Sequence, residues 1–153
     1  MSEEILEESK PIPDDEWESI VRNVPLVSVD LVVRHNGGVV LGLRENEPAR
    51  GEWFVPGGTV MKNETLTDAV HRVAREELGS DVTIEERLGT FEHFYDTSEI
   101  EGVDSKHYLA TAFVVTLDAD ELRPDAQHSQ LKVFEPPYDD VHPYVERYLT
   151  KLD

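Results

Sequence analysis

The sequence predicts one layered α/β domain, on three observations: valine-rich runs that alternate, a single long segment of helical period among them, and a length of 153 residues. That length buries one sizeable core and falls short of two domains. Residues 1–12, with Glu3, Glu4, Glu7 and Glu8, read as an acidic flexible segment, which leaves residues 13–153 as the domain. Asp14 and Asp15 precede an amphipathic stretch, Trp17 to Val21, as a helix with acids at its dipole-favoured end. Leu26 to Arg34 alternates, and Asn36-Gly37-Gly38 turns it into Val39 to Leu43, a hairpin. Glu52 to Val55 is a short strand ending at Pro56-Gly57-Gly58, and from Glu64 to Leu78 the period becomes helical, with Gly79 as C-cap. Val82 to Phe94 and His107 to Leu117 read as longer strands across an acidic loop, Leu131 to Phe134 as another strand and Val141 to Leu152 as a closing helix. Strands around one central helix, with helices at both ends, imply a layered domain.

Composition narrows the function. Hydrophobic residues at 39% and charged residues at 31% describe a folded protein. No run approaches the ~20 apolar residues of a membrane span, and the start lacks a signal peptide's basic and apolar regions, so the expected location is cytoplasmic, away from membranes. With no cysteine, any metal must use oxygen or imidazole. The net charge of −19 repels phosphate backbones, which argues against nucleic-acid partners. Acidity spread along the chain points to a halophilic source, where concentrated salt screens the self-repulsion.

On the helix, Leu66, Ala69, Val70, Val73 and Ala74 form the core stripe, and Glu77 falls near its middle. A carboxylate there is costly unless something positive pairs with it. Either Glu77 bends out past the fraying helix end, or it holds a divalent cation, with Mg²⁺ the default for hard oxygen ligands. Glu76 lies at the stripe's edge, one turn after Arg72, where the two can pair.

Gly58, Glu64, Arg72, Glu76, Glu77 and Gly79 stand at the spacing G-x5-E-x7-R-x3-EE-x-G, which resembles the Nudix hydrolase signature. The family pattern has a Glu directly after the Arg, and here that position is Val73. One branch, the GDP-mannose mannosyl hydrolases, also lacks that glutamate. Its likeness runs from about Val21 to Phe134, through VRNVPLVSVDLVV, NEPARGEWFVPGG, NETL, ELG, EHFYD, HY and PDAQH. The resemblance implies an α/β/α sandwich with a mixed β-sheet, usually dimeric, and a Mg²⁺-dependent attack of water on sugar C1 that releases GDP.

Residue by residue, the resemblance implies Mg²⁺ ligands at the Gly57 carbonyl, Glu77 and Gln127, with Glu76 either in the metal shell or simply pairing with Arg72. It implies that His128 is the general base, and neutral imidazole suits proton acceptance from water near pH 7. Arg44 and Arg72 match diphosphate-contacting arginines, and Asp30, His93 and Tyr108 match substrate-binding residues. Ordinary roles stand beside these: surface pairing for the arginines, strand packing for the rings, and core for Trp53. Thr59 replaces an arginine of the branch, and Lys62 or Arg50 is near enough in sequence to compensate. The leading expectation is hydrolysis of GDP-mannose or GDP-glucose. The alternatives are a pyrophosphohydrolase that attacks phosphorus, favoured by the Glu76-Glu77 pair and disfavoured by Val73, and a non-catalytic nucleotide-binding regulator.

Overall fold

The computed structural model describes residues 12–120, 122 and 130–152. Within them the elements run α1 (Asp14–Asn23), β1 (Leu26–His35), β2 (Gly38–Leu43), β3 (Trp53–Phe54), β4 (Gly57–Thr59), α2 (Leu66–Leu78), β5 (Val82–Tyr95), β6 (Lys106–Leu117), β7 (Leu131–Phe134) and α3 (Pro143–Leu149).

β1 organises the sheet because its residues 28–33 are buried on both faces, as a central strand requires. It runs parallel to β6 and antiparallel to β2 and β4. The mixed seven-stranded sheet has the order β3-β2-β1-β6-β5, with β4 added on β1 and β7 on β2. Asn36 and Gly37 both take positive φ, 51° and 83°, the two-residue turn whose twist matches the β1–β2 hairpin.

Two helices cover the two faces. On one side, Val29, Leu31 and Val33 of β1 and Val115 of β6 meet Ala69, Val70, Val73, Ala74 and Leu78 of α2. On the other, Val32, Leu41, Phe91 and Val114 meet Val145, Tyr148 and Leu149 of α3. α1 closes one end through Val21, packed with Leu26 and Val103. This is the expected α/β/α sandwich.

Three helices differ from their expected bounds for local reasons. α2 begins at Leu66 rather than Glu64, because the Thr65 side chain accepts from Asp68 N at 3.0 Å and caps the helix. Glu64 is thereby left in the preceding loop. α3 is shorter than Val141 to Leu152, starting where Pro143 takes the first helical position behind a His142 cap. α1 is longer than Trp17 to Val21, since Asp14 and Asp15 lie inside its first turn.

Candidate active site

The site begins where β1 passes under the strand before α2. Asp30 pairs in register with Gly57, and Val29 with Gly58. A Cβ on Gly57 would run into Asp30 Oδ1 and lie 2.8 Å from the Val29 carbonyl, so the close approach requires glycine. A Cβ on Gly58 would lie 2.9 Å from a Val73 methyl. Val73, 1% exposed, therefore fills with hydrocarbon the place where the signature has a glutamate.

Above this floor lies a cavity of ≈ 250 Å³ whose walls include Asp30, Arg44, Gly57, Glu77, His93 and Tyr108. Six residues singled out from the sequence, spread over four strands, a loop and a helix, thus meet in one place. Glu77 is half-buried at the end of α2 and faces the cavity, which resolves its position on the apolar stripe. Arg44 is held by its own loop, with Nε donating to the Pro48 carbonyl at 2.6 Å.

The floor is charged and buried. Asp30 is 7% exposed, and burial pushes its carboxyl up to about 6. Opposing that push, the Tyr148 hydroxyl donates to Asp30 Oδ2 at 2.6 Å, and Arg44 attracts the anion. His93 is 2% exposed, and burial, then the neighbouring charges of Arg147 and His142, push it down to about 4. It is a neutral imidazole at pH 7, stacked on Tyr144 with ring centres 4.2 Å apart. Tyr108 lines the cavity with one side and has the Lys106 ammonium 5.3 Å from its ring centre. Lys106 itself is buried and bonded to Glu99 at 2.8 Å.

Arg72 and Glu76 are not brought to the cavity wall. Arg72 donates from Nε to Glu64 at 2.8 Å, from Nη1 to Glu76 at 3.0 Å and from Nη2 to the Thr59 carbonyl at 2.8 Å. The guanidinium holds the Glu64 carboxyl below its ordinary range, and the whole set ties the β4–α2 loop to the helix. Lys62 and Arg50 are exposed and absent from the wall, while Thr59 lines it. Trp53 packs its ring on Phe134, a core contact as expected. Gln127 and His128 lie outside the described residues.

Among the described residues no cluster of three or more His, Asp or Glu side chains stands ready for a metal. The donors present nevertheless suit Mg²⁺: a carboxylate at Glu77 and the backbone at Gly57 are hard oxygens on one cavity, with room for water and phosphate oxygens. Sequence reasoning missed Tyr148 and Tyr95. Tyr95 lines the cavity between His93 and Tyr108, and Tyr148 supports the floor from α3. A signal existed for Tyr148: Asp30 sits in an apolar strand and needs a buried donor, and a tyrosine inside the closing helix can supply one.

A NUDIX domain model matches residues 24–148. Over 142 residues the chain is 82% identical to the low-salt glycan biosynthesis protein Agl8 of Haloferax volcanii, covering 93% of this chain and 91% of that protein. It is 26% identical over 111 residues to the ADP-ribose pyrophosphatase of Methanocaldococcus jannaschii, covering 72% of this chain and 62% of that protein. Among solved structures, a MutT NUDIX hydrolase from Burkholderia pseudomallei superposes with a TM-score of 0.66 at 24% identity, over 84% of this chain and 98% of that one.

Proposed function

This chain belongs to the NUDIX hydrolase family, and on that premise we propose that it hydrolyses GDP-sugars, GDP-mannose or GDP-glucose, with water attacking sugar C1 and GDP departing. The observation that carries this reading is Val73, sealed against Gly58. It leaves Glu77 as the helix carboxylate on the cavity, too little charge for a multi-metal cluster that activates water against phosphorus. Displacement at an anomeric carbon asks less of the metal, because GDP is already a good leaving group and needs mainly neutralising charge.

In this reading Glu77, the Gly57 carbonyl and Gln127 hold Mg²⁺, which supplies positive charge at the departing diphosphate. Arg44, on the same cavity, adds charge, while Asp30, His93 and Tyr108 contact the substrate and His128 accepts the proton of the attacking water. Arg72 acts at one remove, since its three partners fix the loop that carries Thr59 and leads into α2. The relative named for glycan biosynthesis supports a nucleotide-sugar substrate. A second copy of the chain completes the reading: Val24, Val27 and Phe94 are exposed, and register puts Val27 and Phe94 on one sheet face through Leu109 and His107. The acidic surface suits a salt-rich cytoplasm, and among the described residues no helix is long and apolar enough to cross a membrane.

Attack on phosphorus is the competing reading, favoured by the relative named ADP-ribose pyrophosphatase. Incubating the protein with GDP-mannose and Mg²⁺ and separating the products decides between them. Free mannose with GDP supports the proposal, whereas mannose 1-phosphate with GMP rejects it.

A further inference from the structure

Tyr148 is fully buried on α3, yet its hydroxyl touches two cavity residues from distant parts of the chain. It lies 2.6 Å from Asp30 Oδ2 and 3.1 Å from His93 Nε2. A phenol has one proton to give. The shorter contact has the length of a charge-assisted O–H···O⁻ bond, so the proton goes to the carboxylate. The lone pairs of the same oxygen then face Nε2, and that contact is a hydrogen bond only if Nε2 carries the imidazole proton. We propose that Tyr148 is a positioning residue of the cavity: it orients the Asp30 carboxylate and fixes His93 as the Nε2–H tautomer, leaving Nδ1 as an acceptor for a substrate hydroxyl or N–H.

The surroundings fit a device that holds orientation rather than one that merely fills space. The His93 ring is clamped by stacking on Tyr144, whose hydroxyl bonds both the amide and the carbonyl of Phe94 at 2.9 Å. α3 thus grips β5 at the residue beside His93. The Tyr148 ring is separately held edge-on by Phe91, so removal of its oxygen leaves the packing in place. Asp30 Oδ1 faces Gly57, the position where an added side chain would strike it, so the carboxylate sits in a slot that glycine leaves open. Asp30 and His93, both on the cavity wall, are linked through one oxygen.

The test uses the full-length chain and two readouts. At about pH 8, ¹H–¹⁵N correlation through the imidazole carbons reports which His93 nitrogen carries the proton. The expected result is Nε2 in the wild type and a substantial shift towards Nδ1 in Tyr148→Phe. The kinetic readout, which rests on the proposed GDP-sugar hydrolysis, should show kcat lower by ~10-fold or more in Tyr148→Phe with KM changed by less than ~3-fold. A wild-type proton on Nδ1 overturns the proposal, whatever the variant's fate. A Tyr148→Phe protein that keeps its His93 tautomer, or its kcat, overturns it too. Failure of wild-type protein to turn over any GDP-sugar would reject the proposed function, while the tautomer measurement still decides the role of Tyr148.

Discussion

Replacing Asp30 by Asn should stabilise the protein at neutral pH while removing its activity. The Asp30 carboxyl is raised from 3.8 to about 6 in the folded chain, chiefly by burial. Folding therefore favours the protonated form, and the ionised form costs stability wherever pH exceeds the folded value. A shift of this size corresponds to ~3 kcal/mol at 1.36 kcal/mol per unit. That penalty is complete at about pH 8 and relieved as pH falls from about 6 towards 4. Asn keeps the shape and still accepts from Tyr148, although its amide needs a partner of its own, so the net gain at about pH 8 should be ~1–3 kcal/mol. His93 works in the opposite sense. Its folded value of about 4 lies below its ordinary 6.5, so the unfolded chain takes up a proton first and stability falls between those two values. In the wild type the two effects offset each other over much the same range. In Asp30→Asn only the histidine effect remains, so the variant should lose stability more steeply on acidification. Urea unfolding at fixed salt, repeated at about pH 8 and about pH 4, measures this. A stability difference that does not depend on pH, or a variant less stable than wild type at about pH 8, would mean that burial of the ionised Asp30 carboxyl does not cost stability.

Glu77→Gln should abolish Mg²⁺-dependent turnover with an unchanged circular dichroism spectrum, since it removes ligand charge and keeps shape. Gly57→Ala should be destabilising and inactive, because its Cβ meets Asp30 and the Val29 carbonyl, neither of which can swing away; thermal melting checks the first effect and product assay the second. Arg72→Ala should lower stability by about 1–2 kcal/mol in urea unfolding by freeing Glu64 and the Thr59 carbonyl. A loss of activity without any loss of stability would instead place Arg72 on the substrate. His128→Gln should slow turnover by ~10² to 10⁴ and remove the acidic limb of the pH–rate profile, whereas a loss under about fivefold with the limb intact points to phosphorus attack.

The layers of the fold were legible because the strands leave a plain record: β1 reads as an alternating valine-rich run, β6 as a long strand, and Gly79 and Asn36-Gly37 punctuate the chain. The helix ends were less legible, since Thr65 as a cap and Pro143 as a first residue depend on single hydrogen bonds that periodicity does not register. Glu77 announced itself as a charge on an apolar stripe. The pairing of Arg72 with Glu64 was hidden because Glu64 precedes the helix; the i,i+4 spacing exposed only Glu76. Tyr148 was hidden for a different reason: its partners Asp30 and His93 are distant in sequence, and a tyrosine among apolar helix residues reads as core until the sheet brings them together.

In the proposed reaction water attacks carbon. Hydrolysis of GDP-mannose in ¹⁸O-enriched water, with mass spectrometry of the released GDP, tests it most directly, because phosphate oxygens do not exchange with solvent under these conditions as a free sugar's anomeric oxygen does. Attack at C1 yields GDP free of ¹⁸O, the label having entered mannose; ¹⁸O in GDP, or in GMP or mannose 1-phosphate, means that water attacked phosphorus.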